Sequence, residues 1–219
     1  YEDPSKAYVE EAHLGLWVTG KRVCGSWAHA DEDSSFCELN AYVQNIFARV
    51  GLTKNMMVVE TSDNNIFASG LKVMTRGGKT VAELGILSHK LQRAADIANP
   101  VYYADIHWNT LMKAVRKNKL EYQEISKYPA VSRDLALLID NSVKFAQIEE
   151  IAFQTEKKLL KRVELFDVYQ GKNLPEGKKS YAVNFIIQDA TRTLNDKAID
   201  AIMTKLINNI KNKLGAELR

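Results

Sequence analysis

The chain has 219 residues, of which 46% are hydrophobic and 26% are charged, an ordinary composition for a globular protein with its own core. No apolar run approaches the roughly 20 residues that a membrane-spanning helix needs, and the polar, acidic first residues lack the pattern of a signal peptide. The net charge of +3 is too small to indicate nucleic-acid binding, but residues 1–126 have a net charge of −1 and residues 127–219 one of +4, so a polyanion would be expected at the second part.

Apolar spacing predicts the elements of the first part of the chain. They are a strand over 13–21 with a turn at Thr19-Gly20, a helix over 34–52 that Gly51 ends, a turn and strand over 77–88, and a strand over 101–115 that becomes helical after Asn109. The first residue is not Met, so we expect the chain to be a fragment of a longer protein.

A polar segment over 116–129, which ends in Pro129, predicts a domain boundary. After it the predicted elements are a strand over 131–139, a helix over 142–159 with Ser142 as N-cap, a strand over 160–171, a turn over 173–179, a strand over 180–189, a helix over 193–215 with Asn195 as N-cap, and a short edge strand over 216–219. This β-α-β-β-α-β order predicts a ferredoxin-like fold, in which two helices cover one face of a four-stranded antiparallel sheet.

Alternation along these strands predicts which side chains face the helices and which lie on the open face of the sheet. The helix-facing set is Leu135, Leu137, Ile139, Val163, Leu165, Tyr181, Val183, Phe185 and Ile187. The open-face set is Asp134, Ala136, Leu138, Glu164, Phe166, Val168, Ser180, Ala182, Asn184 and Ile186. The open face is therefore expected to be small and polar, with Phe166 as its main aromatic residue.

The sequence contains no catalytic motif. The stretch Arg76-Gly-Gly-Lys-Thr lacks the first glycine of a phosphate-binding loop and predicts a glycine turn between strands. The four histidines are far apart, and the segment 27–33, with His29 and three acidic residues, is expected to be a solvated acidic loop rather than a metal site. Cys24 and Cys37 have no metal-ligand spacing and are expected to be reduced, buried thiols.

Five ordered motifs then carry a family resemblance over about ninety residues. They are Tyr128-Pro-x-x-x-Arg133-Asp134-Leu-Ala, Leu165-Phe-Asp-x-Tyr169-x-Gly171, Lys179-Ser-Tyr-Ala, Arg192-Thr-Leu and Ala216-x-Leu-Arg219. The segment resembles the ferredoxin-fold anticodon-binding domain that ends the β subunit of bacterial phenylalanine–tRNA ligases. Segments 25–52 and 78–114 look like the end of the catalytic-like domain of that subunit, although residues 82–89 and 67–73 depart from the usual family motifs.

The resemblance implies an α+β chain with three parts: the C-terminal portion of an inactive, class II synthetase-like domain over 1–118, a linker over 119–128, and the anticodon-binding domain over 129–219. It also implies a cytoplasmic (αβ)₂ ligase that couples phenylalanine to its tRNA with ATP and Mg²⁺. The chemistry of such an enzyme belongs to the α subunit, so this fragment is expected to bind tRNA and to support assembly, with no catalytic residue, metal or cofactor of its own.

Two charges in the first motif would have a role in this binding. Arg133 would bind a phosphate or stack on an unpaired base beside the open face, and Asp134 would accept from a base amino group or hold Arg133 in place. The alternative is that the pair connects neighbouring strands or caps the long helix. The complete set of expected tRNA contacts is Lys127, Tyr128, Arg133, Asp134, Phe166, Tyr169, Lys172, Lys178, Lys179 and Asn184.

Three other functions remain open from the sequence. A ferredoxin-like domain can also sense small molecules at a helix–strand interface, or act purely in assembly with its basic residues merely solvated. A mononuclear metal enzyme around His29 is the remaining alternative.

Overall fold

The computed structural model describes residues 8, 10–118, 122, 124–171 and 174–219. The chain divides into two compact units, Tyr1–Glu121 (unit 1) and Tyr122–Arg219 (unit 2), and each has its own hydrophobic core. None of the helices in the described part of the chain has the length and apolar character needed to cross a membrane.

Unit 1 is built around an antiparallel sheet. Its elements are β1 (His13–Thr19), β2 (Lys21–Val23), β3 (Glu32–Asp33), α1 (Phe36–Val50), β4 (Met57–Thr61), β5 (Phe67–Thr75), β6 (Thr80–Leu87), α2 (His89–Ala94), β7 (Val101–His107) and α3 (Trp108–Val115). The five-stranded sheet has the order β1-β7-β6-β5-β4, and β2 pairs separately with β3.

The strongest sequence signals in unit 1 are confirmed. Helix α1 begins after Ser35, whose hydroxyl oxygen accepts the Glu38 backbone N–H at 3.2 Å, and it buries Leu39, Val43 and Phe47 in the core of the unit. The glycine turn also forms between β5 and β6, because Gly78 has the left-handed φ of 78° that a side chain would disfavour.

Unit 2 has the predicted ferredoxin-like fold. Its elements are β8 (Val131–Asp140), α4 (Phe145–Thr155), β9 (Leu160–Tyr169), β10 (Lys178–Ile187), α5 (Asp196–Leu214) and β11 (Glu217–Leu218). The antiparallel sheet has the order β11-β8-β10-β9. The helix-facing residues of β10 are buried with the apolar stripes of α4 and α5, which confirms that both helices pack on the same face.

The predicted start and end of the first helix of unit 2 are wrong. Ser142 does not cap it, because its backbone N–H and its hydroxyl both donate to Asp140 Oδ1, at 2.8 and 2.6 Å. The helix begins instead after Lys144, whose N–H donates to Gln147 Oε1 at 2.8 Å. It ends at Thr155, because the following residue is extended. By contrast Asn195 caps α5 as predicted.

A β-bulge in β9 changes the predicted faces of that strand. Leu165 lies opposite Val183 and Asp167 lies opposite Ala182, so Phe166 has no partner on β10. Beyond the bulge Val168 lies opposite Tyr181, on the helix-bearing side. The prediction that Val168 belongs to the open face is therefore wrong.

Candidate nucleic-acid interface

Rows of paired side chains cross the open face of the unit 2 sheet, since residues directly opposite each other point to the same side. In order along the sheet they are Ser132, Ile186 and Arg162; Asp134, Asn184 and Glu164; Ala136, Ala182 and Asp167; and Leu138, Ser180 and Tyr169. The two central strands contribute only the methyl groups of Ala136 and Ala182 to the middle of the face, which makes it a shallow floor between polar margins.

One margin is a network of polar side chains around Asn184. The Asn184 amide nitrogen donates to Ser132 Oγ and to Asp134 Oδ1, which ties β10 to β8. Beside it Arg162 Nη1 donates to Glu164 Oε1 at 2.8 Å. Asp134 and Asn184, two of the predicted contacts, thus lie together on the open face and share a hydrogen bond.

The opposite margin is formed by an aromatic ring and a guanidinium group. The Arg219 backbone N–H donates to the Ala136 carbonyl at 3.0 Å, which places Arg219 beside the alanine row. Its guanidinium carbon lies 5.3 Å from the centre of the Tyr169 ring, on the far edge strand. The Arg219 side chain therefore crosses the shallow centre of the face and makes a cation–π contact with Tyr169.

Lys178, another predicted contact, is part of an ion pair at the same end of the sheet. Its ammonium group donates to Glu217 Oε1 at 2.8 Å, and this hydrogen bond lowers the pKa of the Glu217 carboxyl. An RNA phosphate at this position would have to compete with Glu217 for the lysine.

Two of the predicted contacts do not lie on the open face. Arg133 is opposite the buried Phe185, and its Nη2 lies 3.6 Å from Asp196 Oδ1 in the first turn of α5. Lys179 is only 7% exposed, donates to the Asn141 carbonyl at 2.9 Å, and lies 4.7 Å from the centre of the Tyr181 ring. The expectation that Arg133 stands beside the open face is therefore wrong, and the alternative of a contact with the long helix is what the structure shows.

The other predicted contacts are at or beyond the edges of the sheet. Phe166, at the bulge, is 60% exposed, and Tyr169 is 37% exposed. Lys127 and Tyr128 are exposed in the loop before β8, where the Tyr128 carbonyl accepts from Gln188 Nε2 at 2.7 Å. Lys172 lies outside the described residues.

Sequence reasoning did not include Arg219 among the contacts, although its position crosses the centre of the face. The available signal was the strand pattern of the last four residues: Glu217 pairs opposite Leu138, so Arg219, two residues later, returns to the same side.

In unit 1 the acidic loop makes ion pairs with the neighbouring strand. Lys21 Nζ lies 2.7 Å from Asp33 Oδ1 and 3.6 Å from Asp31 Oδ2, and Arg22 Nη1 lies 2.9 Å from Glu32 Oε1. These contacts neutralise the acidic side chains that the metal interpretation would have used.

Cys24 and Cys37 are free thiols, but both are exposed, so the expectation of burial is wrong.

Known families match both units. Residues 126–219 match the family model described as "Ferredoxin-fold anticodon binding domain", and residues 1–108 match "Phenylalanyl tRNA synthetase beta chain CLM domain".

Curated relatives match nearly the whole chain. The chain is 60% identical to the phenylalanine–tRNA ligase beta subunit of Bacteroides thetaiotaomicron over 212 residues, which are 97% of this chain and 26% of that protein. It is 48% identical to the corresponding subunit of Porphyromonas gingivalis over 218 residues, which are 100% of this chain and 27% of that protein. The chain therefore spans about a quarter of the length of these relatives. With both units matched in this order, the chain belongs to the phenylalanine–tRNA ligase beta subunit family.

Proposed function

We propose that unit 2 binds the anticodon region of tRNA-Phe through the open face of its sheet, as part of a phenylalanine–tRNA ligase. In this proposal residues 129–219 form the tRNA-binding domain, 119–128 are the linker, and 1–118 are an assembly surface for the α subunit of an (αβ)₂ enzyme. The enzyme as a whole would use ATP and Mg²⁺ in the cytoplasm to join phenylalanine to its tRNA. This part of the β subunit would supply no catalytic group.

The observation that carries the proposal is the shape of the open face. Unpaired nucleotides are recognised by stacking on aromatic rings or guanidinium planes and by hydrogen bonds to the edges of their bases. The open face offers both kinds of contact, because Arg219 crosses the shallow floor of Ala136 and Ala182 to reach Tyr169, and the Asn184 network borders that floor.

Each margin would make a different contact. Tyr169 and the exposed Phe166 would stack on splayed bases, because a stacking platform accepts any base. Asp134 and Asn184 would read the donor and acceptor groups of one base edge. Lys127, Tyr128, Lys172 and Lys178 would contact the backbone around the loop.

A matched pair of charge insertions tests this surface. Ala182 is at the centre of the open face, whereas Ala201 is exposed on α5, on the opposite side of unit 2. Ala182→Glu places a carboxylate where RNA would lie, while Ala201→Glu makes the same chemical change among the helices. We expect the first to weaken tRNA-Phe binding by about fivefold or more, since a carboxylate and a phosphate 4 Å apart in water repel each other by roughly 1 kcal/mol. The second should bind as wild type does.

Binding is measured by filter retention of labelled tRNA-Phe at moderate salt, and circular dichroism checks that both variants are folded. Equal affinity of the two variants would contradict the proposal that the open face binds RNA. A wild-type chain with no salt-dependent association would favour the alternative of a pure assembly domain.

A further inference from the structure

Within the described residues, one group of side chains in unit 1 has the composition of a metal site. The ligand atoms of Glu11, His13 and His107 all lie within 4.8 Å of one another. This group is separate from the acidic loop around His29 and from the open face of unit 2.

Strand pairing brings the three residues together. His13 on β1 lies directly opposite His107 on β7, and the centres of their rings are 4.4 Å apart. The pairing continues past His13, because the Trp108 N–H donates to the Ala12 carbonyl at 2.9 Å. Glu11 is two residues before His13 on this extended segment, so its side chain returns to the side of the two histidines.

A fourth residue orients one of the rings. His13 Nδ1 lies 2.8 Å from Asp105 Oδ1, so the other ring nitrogen, Nε2, is directed to Glu11 Oε2 at 3.7 Å. A carboxylate that holds the second nitrogen of a histidine is the usual arrangement behind a metal-ligating imidazole, because it fixes both the tautomer and the ring orientation.

We propose that Glu11, His13 and His107 bind a divalent transition-metal ion, with Asp105 as the positioning residue behind His13. Two imidazoles and one carboxylate are the ligand set of many open zinc sites, in which water takes the fourth position. Tetrahedral bonds of about 2.0–2.1 Å put ligand atoms about 3.3 Å apart. The ligand atoms, which are at most 4.8 Å apart, therefore need to approach one another by up to about 1.5 Å, and Glu11, whose side chain is 67% exposed, is free to move.

Zinc titration of the 219-residue chain without a purification tag tests the proposal. The parent protein carries Cys24→Ser and Cys37→Ser, because both thiols are exposed and would bind zinc themselves. Calorimetry at about pH 8 is appropriate, since Asp105 and Glu11 raise the pKa of His13 and protons compete with a cation for it. We expect one ion per chain.

Variants then assign the ligands. His13→Gln, His107→Gln and Glu11→Gln should each abolish the one-to-one binding. Asp105→Asn should weaken it by about 10- to 100-fold, as is typical of a residue behind a ligand.

The controls are the two other histidines of the chain, both exposed. His29→Gln and His89→Gln should leave the binding unchanged. Cobalt in place of zinc gives a visible absorption band that reports the coordination directly. Glu11 lies outside the strands, so Glu11→Gln keeps the test valid if a histidine variant fails to fold. Absence of binding in the parent, or binding that survives in folded Glu11→Gln and His13→Gln, would overturn the proposal.

Discussion

Phe166 offers the sharpest test of how unit 2 would contact an unpaired base. The residue is 60% exposed, so folding removes only about 60–100 Å² of its surface from water, given the 150–250 Å² that a large aromatic side chain can bury. At about 25 cal/mol per Å², Phe166→Ala therefore costs roughly 2 kcal/mol of folding free energy. A domain that starts with at least about 5 kcal/mol remains about 99% folded, so binding can be measured on native protein.

Stacking on an aromatic side chain contributes about 1–3 kcal/mol per base, so Phe166→Ala should raise the Kd for an anticodon stem-loop by about 5-fold to about 140-fold. Fluorescence anisotropy of the labelled stem-loop measures this, with a fully paired duplex of the same length as the comparison ligand. Because the substitution removes no charge, the loss should be the same at low and high salt. Tyr42→Ala removes a half-exposed aromatic from unit 1 and serves as the control.

A Kd within twofold of wild type would refute the idea that the bulge presents a stacking ring. An equal loss of affinity for stem-loop and duplex would refute the idea that unpaired bases are the target.

Three further predictions concern the fold. Lys179→Met removes the donor to the Asn141 carbonyl and should lower the free energy of unfolding by roughly 1–3 kcal/mol in urea, with no change in the salt dependence of RNA binding. Gly85→Ala should cost roughly 1–3 kcal/mol by thermal denaturation, because its Cβ would lie 2.7 Å from a backbone Cα of the neighbouring strand. Hydrogen bonds from Ser142 lower the pKa of Asp140 below its unfolded value, so they stabilise the fold above that value, and the stabilisation is lost as the pH falls through the folded pKa. Ser142→Ala should therefore lower Tm near neutral pH, and the difference from wild type should shrink only as the pH falls below about 4, the ordinary pKa of an aspartate, towards the lower folded value.

The sequence alone predicted a structural element correctly where a single helical or strand periodicity dominates the segment. Strand β10 alternates strictly, and its helix-facing residues are buried as predicted. Helices α1 and α5 have both an apolar stripe and a side-chain cap, so their limits were within three residues of the prediction. Local signals of this kind do not depend on the rest of the chain.

The sequence alone did not predict the structure of segments whose conformation depends on pairing with a distant strand. Strands β4 and β5 were not predicted, because β5 carries Ser69 and Gly70 in its middle and β4 is mostly exposed. The bulge at Phe166 leaves no mark in the alternation of β9, since only the register with β10 reveals it. For Arg133 the alternation of the strand did predict the correct side of the sheet. Arg133 is two residues before Leu135 and four before Leu137, and it lies on the same side of the sheet as they do.

The placement of these charges changes what the open face can recognise. Among the described residues of that face, carboxylates outnumber cations: the acidic side chains are Asp134, Asp140, Glu164, Asp167 and Glu217, and the basic ones are Arg162, Lys178 and Arg219. Two of these cations are already paired with carboxylates, and the third lies on a tyrosine ring. Attraction of phosphates to the sheet itself is therefore weak. The net positive charge of residues 127–219 comes from the loops and helices of that part of the chain. A face of this kind discriminates in two ways that phosphate contacts do not: stacking depends on whether a base is unpaired, and hydrogen bonds to base edges depend on which base is present.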